Sequence, residues 1–105
     1  MSMQQIKEQD ILHDEYGNYY EVLAVQKDGD KVKALEVTNL FFKETFKTQA
    51  AGGEFSADSV LAAMNDRIAQ VQQAERPIYA LGDLLMNRIA IYAMDVTKPF
   101  SDSLA

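Results

Sequence analysis

The sequence predicts an α+β fold, in which a bent antiparallel sheet is covered by one amphipathic helix to form a small barrel or roll. Two tight-turn signals divide residues 10–38 into three β-rich runs, which indicates a three-stranded meander. An apolar stripe at helical spacing follows over residues 56–74. One or two further strands are expected to join the sheet from the segments after the meander and after the helix.

The meander is predicted from its two turns, Gly17-Asn18 and Asp28-Gly29. Gly and Asn tolerate the positive φ that a tight hairpin needs at its centre, and Asp-Gly between apolar runs is a strong hairpin signal. With Asp28-Gly29 as a two-residue loop, Val25 is expected to lie opposite Val32. Apolar residues then fall on both faces, so the sheet is expected to be strongly bent or covered on both sides.

Residues 40–46 are open to two interpretations, because Phe42 and Phe46 share a face in a strand and also in a short helix. We favour a strand, since Phe and Thr suit a pleated surface. Residues 48–55 are predicted to form a linker, because Gly52-Gly53 interrupts regular structure.

The predicted helix over residues 56–74 has a suitable N-cap in Ser56 and an acidic residue, Asp58, in its first turn. Its apolar residues recur at spacings of three and four, which predicts a stripe that packs on the sheet. The stripe consists of Leu61, Met64, Ile68 and Val71. Pro77 marks the end of the helix, since the residue before a proline disfavours the α conformation.

Residues 78–96 fit either a helix or strands, and we favour a final strand from about 88 to 95 that pairs with the meander. Residues 78–94 carry only two formal charges, Asp83 and Arg88, whereas a surface element would carry a polar face. Central burial in the monomer and burial against a second copy both explain this. We predict a homodimer with part of this stretch, or its flanking sheet edge, at the interface, since two-fold dimers are the commonest closed assembly.

The composition predicts a single domain over residues 1–105, with flexible ends at residues 1–9 and 97–105. The chain has no cysteine, which excludes disulfides and thiolate chemistry and favours the cytoplasm. The first residues lack the pattern of a secretory signal, and no apolar run approaches the roughly 20 residues of a membrane helix. The net charge of −6 disfavours binding to nucleic acid.

One polar group near the start of the meander suggests chemistry, and it consists of Asp10, His13 and Glu15. A histidine beside carboxylates can act as a general base or supply a metal ligand, and alternate strand residues such as His13 and Glu15 share a face. A polar strand end before a hairpin is the alternative interpretation. The sequence has no phosphate-binding glycine loop, calcium loop or nucleophile turn, so it predicts no cofactor and no assigned metal site.

Tyr16, Tyr19 and Tyr20 surround the first hairpin, where exposed aromatic side chains would suit recognition of a partner protein. Burial in the core is the alternative for these tyrosines. Residues 9–38 also resemble the opening hairpins of Tudor- and KOW-type small barrels, without a diagnostic residue, and no function is carried over from that likeness. We predict a small acidic non-enzymatic interaction or regulatory module that binds another protein. The alternative is a small-ligand or metal-dependent enzyme that uses His13 with nearby carboxylates.

Overall fold

The α+β class is confirmed by a computed structural model, which describes residues 5–94. Five strands form one sheet, and three helices pack on it. In chain order the elements are β1 (Ile11–His13), β2 (Tyr19–Asp28), β3 (Lys31–Asn39), α1 (Leu40–Ala50), α2 (Ala57–Gln73), β4 (Tyr79–Ala80), α3 (Leu81–Met86) and β5 (Ala90–Ala93).

The sheet has the strand order β4-β1-β2-β3-β5, and it does not close on itself. The three central strands form the antiparallel meander that the sequence predicts. Both outer strands are parallel to their neighbours, β4 to β1 and β5 to β3, so the sheet is mixed and not purely antiparallel. Strands that follow each other in the chain and run parallel in the sheet must be joined by a crossover connection. Here α1 and α2 connect β3 to β4, and α3 connects β4 to β5.

The two connections cover opposite faces of the sheet, because adjacent strand residues point in opposite directions. On β1, Leu12 belongs to the cluster under α3 and Ile11 to the cluster under α1 and α2. We call these sides the α3 face and the two-helix face. The buried residues on the α3 face are Ile6, Leu12, Val22, Val32, Leu35, Val37, Tyr79, Leu84 and Ile89. Those on the two-helix face are Ile11, Leu40, Val60, Met64 and Val71.

The predicted register of the second hairpin is wrong, because the turn lies one residue later than expected and two β-bulges interrupt the pairing. Asp28 pairs with Lys31, so Gly29-Asp30 is the loop, and Val25 lies opposite Leu35 and not Val32. Gly29 supplies the positive φ, at 63°. The two irregularities lie at 22–24 and 26–27 of β2. The first irregularity adds Leu23 to β2, and the second adds Lys33 to β3 opposite 26–27. Each bulge reverses the alternation of its own strand, which explains why apolar residues seemed to fall on both faces.

Residues 40–46 are the start of helix α1, so the predicted strand there is wrong. Asn39 decides the outcome, because its side-chain oxygen accepts hydrogen bonds from the backbone N–H of Phe41 at 3.0 Å and of Phe42 at 3.3 Å. That arrangement is an N-cap, and it starts a helix where β3 ends. Leu40 and Glu44, four residues apart, form the buried side of the helix.

Helix α2 confirms the predicted element, and the Ser56 hydroxyl caps it by accepting a hydrogen bond from the Ser59 N–H at 3.4 Å. The buried stripe begins at Val60 instead of Leu61, which is 46% exposed. Val60, Met64 and Val71 are buried, and Ile68 is partly buried. Val60 and Leu61 both fit the helical spacing to Met64, so the sequence alone did not determine which of them faces the sheet.

Ion pairs to one buried carboxylate cross the two-helix face. The Glu21 carboxylate of β2 accepts a hydrogen bond from Arg67 Nε of α2 at 2.9 Å and pairs with Lys43 Nζ of α1. Arg67 also donates to the backbone oxygen of Gln9 at 2.6 Å. These contacts fix both helices to the strand that lies at the centre of the sheet.

The strand favoured for residues 88–95 is confirmed as β5, although it is shorter and parallel to its partner. The sequence did not reveal β4 or α3. The flexible end predicted at residues 97–105 lies outside the described residues, as do residues 1–4. Within the other predicted end, Ile6 is 2% exposed and belongs to the core of the α3 face.

Candidate partner-binding surface around helix α3

Helix α3 is too short to cover the face on which it lies. Its six residues span about 9 Å, whereas five strands extend over roughly 19 Å from the first to the last. Leu84 is fully buried against the sheet, but the adjacent Leu85 is 56% exposed. Concave apolar surface therefore remains on both sides of the helix.

The first concavity lies between α3 and the turn of the first hairpin, and we call it the hairpin cavity. Its volume is about 450 Å³. Residues from the end of β1, the turn and the start of α3 line it. They are His13, Asp14, Glu15, Tyr16, Ala80, Leu81, Gly82, Asp83 and Leu85.

The second concavity lies between α3 and β5, and we call it the strand groove. Its volume is about 250 Å³, and it is lined by Tyr20, Val37, Leu81, Leu85, Ile91 and Ala93. Leu81 and Leu85 line both concavities. The two spaces therefore lie on either side of these leucines, and together they form what we call the α3 surface.

Asp14 stabilises the turn that forms the hairpin side of the cavity. Its carboxylate accepts hydrogen bonds from the backbone N–H groups of Tyr16 and Asn18, each at 2.9 Å. It also accepts one from the side-chain amide of Asn18 at 2.9 Å and one from the hydroxyl of Tyr20 at 3.1 Å. Desolvation is the largest single influence and would raise the pKa of Asp14, but the hydrogen bonds together hold that pKa below its ordinary value. The carboxylate is therefore ionised at neutral pH.

The three tyrosines of the first hairpin do not form one surface. Tyr16 is 81% exposed at the rim of the hairpin cavity. Tyr20 packs against the core of the α3 face, and burial, followed by the bond to Asp14, raises its pKa. Tyr19 packs on the two-helix face. Tyr16 and Tyr20 thus belong to the α3 surface, whereas Tyr19 lies on the other side of the sheet.

The rim of the hairpin cavity is acidic. Asp14 and Glu15 lie on its hairpin side, and Asp83 lies on its α3 side. Neither the Glu15 nor the Asp83 carboxylate forms a hydrogen bond or ion pair with a residue in the 5–94 range. None of the described residues that line the cavity is a lysine or arginine.

The predicted polar group is divided by the fold. His13 and Glu15 line the hairpin cavity, and His13 Nδ1 lies 3.3 Å from the backbone oxygen of Asp14. Asp10 is buried elsewhere, paired with Arg76 and bonded to the Lys7 N–H at 2.9 Å. Within residues 5–94, no group of three or more His, Cys, Asp or Glu side chains is arranged to hold a metal ion.

Strand β5 adds an exposed apolar edge beside the strand groove. Its outer side is not paired with any other described strand. Residues 89–94 carry no charge, and Tyr92 and Met94 are exposed. Edge strands are usually protected by charged residues, by proline or by covering structure, and in the described part of the chain β5 is limited only by its shortness.

The sequence indicated this surface through the low charge of residues 78–94 and through Tyr16 and Tyr20 of the first hairpin. Leu85, Met86, Ile91 and Ala93 were not singled out, because their exposure depends on the short crossover helix between them. A second apolar group lies on the two-helix face, where the ring centroid of Phe41 is 6.4 Å from that of Phe42 and 6.3 Å from that of Phe55.

No protein-family model matches this chain, and searches of curated proteins and of solved structures give no significant match. None of the helices within residues 5–94 is long and apolar enough to cross a membrane.

Proposed function

We propose that this protein is a small non-enzymatic interaction module that binds another protein through the α3 surface. The observation that carries the proposal is Leu85, which is more than half exposed while it lines both concavities. Contiguous apolar surface on a small protein is typical of interaction sites. The concave shape suits side chains that project from a partner, since binding energy concentrates where anchors enter pockets.

Two further properties belong to this proposal. The acidic balance, with a net charge of −6, supports a protein partner over nucleic acid, whose binding depends on Lys and Arg. The complete lack of cysteine supports a cytoplasmic location.

Selection of random peptides on the immobilised protein tests the proposed surface. Peptides enriched on the parent protein are expected to lose binding to Leu85→Ser, because the central leucine of both concavities is removed. Leu61→Ser is the matched control, since Leu61 is similarly exposed but lies on α2. Enrichment of the same peptides on Leu85→Ser would show that the α3 surface does not bind them.

The module also forms a homodimer in this proposal, with β5 at the interface. Two copies of an uncharged edge strand can pair antiparallel about a two-fold axis, which extends the sheet through both protomers. The acidic residues of the rim lie at the hairpin turn and in α3, outside β5, so pairing at β5 avoids placing like charges directly opposite each other. Tyr92 and Met94 would become buried beside the two-fold axis.

Sedimentation equilibrium over a hundredfold concentration range tests the dimer. The parent is expected to approach twice the chain mass of 11.8 kDa, and Tyr92→Lys to remain monomeric, because a charge at a paired edge opposes association. Gln72→Lys, on the exposed side of α2, is the control. A constant mass near 11.8 kDa for the parent, up to high micromolar concentration, would remove the dimer from the proposal.

A small-ligand or metal-dependent enzyme is a second candidate, favoured by one observation: His13, Glu15 and Asp83 line the same cavity. Calorimetric titration with zinc, manganese and calcium tests it. We expect no binding tighter than micromolar, because the carboxylate of Asp10 is committed to Arg76 outside this cavity. A tight isotherm with one metal per chain that is lost in His13→Ala would favour the enzyme instead.

A further inference from the structure

We propose that the hairpin cavity takes a peptide segment in which a lysine or arginine lies beside an apolar side chain. This inference rests on the proposed function and adds the chemistry of the partner. The apolar part of the cavity is formed by Leu81, Leu85 and Ala80, with the exposed ring of Tyr16 at the rim. An apolar side chain of the segment packs there.

The basic residue is required by the charges at the rim. Asp14 holds the turn through its hydrogen bonds and keeps its negative charge. Glu15 and Asp83 add two carboxylates without a cationic partner among the described residues. A neutral or acidic segment would leave these charges uncompensated as it displaces water, whereas Lys or Arg supplies complementary charge and hydrogen-bond donors.

The same charges argue against a second copy of this chain as the occupant. In a two-fold contact, each acidic rim would face an acidic rim, and like-charge juxtaposition opposes association. The hairpin cavity therefore differs from the β5 edge, which carries no charge over residues 89–94. Self-association belongs at β5, and a basic partner belongs at the hairpin.

Gly82 offers a direct way to close the cavity. It lies in α3 and lines the cavity, and a Cβ built on it meets no atom within 4 Å. Its φ is not in the left-handed region, so a larger residue is compatible with the helix. Gly82→Leu is expected to preserve the fold, because leucine favours helix more than glycine, while its side chain occupies the space of the ligand.

The test uses peptides selected from a random library on the parent protein, labelled with fluorescein and measured by fluorescence anisotropy. The expected peptides contain Lys or Arg next to an apolar residue, and replacing those basic residues by Glu abolishes binding. The Glu15→Gln/Asp83→Asn variant is expected to bind roughly five- to tenfold more weakly, the effect of two exposed charges. Glu54→Gln/Asp66→Asn, which neutralises two exposed acids elsewhere, keeps the parent affinity. Gly82→Leu loses binding and keeps the parent melting temperature.

Other outcomes separate the two proposals. Peptides that depend on Leu85 but show no basic preference, or that bind Glu15→Gln/Asp83→Asn with unchanged affinity, overturn the basic partner and leave the interaction module standing. Peptides that bind Gly82→Leu as tightly as the parent place the ligand outside the hairpin cavity, which also overturns the inference. If no selected peptide depends on Leu85, both proposals fail.

Discussion

The two faces of the sheet are covered by different amounts of helix, and this difference decides which face is left for a partner. On the two-helix face, α1 and α2 contribute 11 and 17 residues, and ion pairs from both helices reach the buried Glu21. On the α3 face, six residues of helix pack on the same five strands. A short crossover is therefore enough to bury a core, but it leaves apolar concavities on both of its sides.

The largest effect is expected at a fully buried position of the two-helix face. Val60→Asp should reduce the free energy of unfolding by about 4 kcal/mol or more, because it buries an unpaired charge. Leu61→Asp should change it by no more than about 0.5 kcal/mol, since Leu61 is exposed. Urea unfolding of both variants measures the difference. Equal destabilisation by the two would mean that α2 packs with a different rotation.

On the α3 face, the adjacent residues Leu84 and Leu85 distinguish a side chain needed for folding from one proposed to bind a partner. Leu84→Ala should cost about 3 kcal/mol, because it leaves a cavity at a fully buried site. Leu85→Ala should change the free energy of unfolding by no more than about 0.5 kcal/mol, since its side chain is mostly exposed. Thermal melts give both values. If Leu85→Ala melts as low as Leu84→Ala, then Leu85 belongs to the core and the α3 surface is smaller than described.

The ion pairs of the two-helix face provide the next test. Glu21→Ala should cost about 2 kcal/mol, because Lys43 and Arg67 lose their shared partner while their side chains are only 29% and 19% exposed. Glu54→Ala, at an exposed position without such partners, is the control and should change stability by no more than about 0.5 kcal/mol. Chemical denaturation measures both values, and a loss below about 1 kcal/mol for Glu21→Ala would indicate that these pairs act as surface salt bridges.

The smallest effect is a gain in stability. Thr38 is fully buried, and its hydroxyl has no hydrogen-bond partner among residues 5–94. Thr38→Val should raise the free energy of unfolding by about 1 kcal/mol, because an unsatisfied polar group is replaced by a methyl group of similar size on a strand. Thr45→Val is the contrasting control, since the Thr45 hydroxyl donates to the Phe41 oxygen at 2.8 Å. A destabilised Thr38→Val would reveal a partner for the buried hydroxyl.

The local patterns of the sequence predicted the elements that local chemistry determines. The turn glycines gave the meander, and Ser56 gave the start of α2. Residues 40–46 were expected to form a strand because Phe and Thr favour strands, although they follow Asn39, a residue type that often caps helices. Capping by the Asn39 side chain outweighed that preference, as the structure of α1 shows.

The parts of the fold that local patterns did not predict depend on contacts between residues distant in sequence. One bulge in β2 and one in β3 shift their register, and nothing in the residues around Leu23 and Lys33 marks where the extra residues fall. The short β4 exists through its pairing with β1, and only the crossover between β4 and β5 places Leu81 and Leu85 beside Tyr16 and Tyr20. The candidate site is therefore a product of topology, which the low charge of residues 78–94 indicated without locating it.

Both outer strands of the sheet come from one short stretch of chain, residues 79–93. Because β4 and β5 are joined through α3, detachment of this stretch exposes both edges of the meander in a single event. Backbone amides of β4 and β5, although they lie at opposite edges, are therefore expected to exchange with deuterium at similar opening free energies. Arg88 is exposed between them, so one tryptic cut after this residue would allow each edge to open independently.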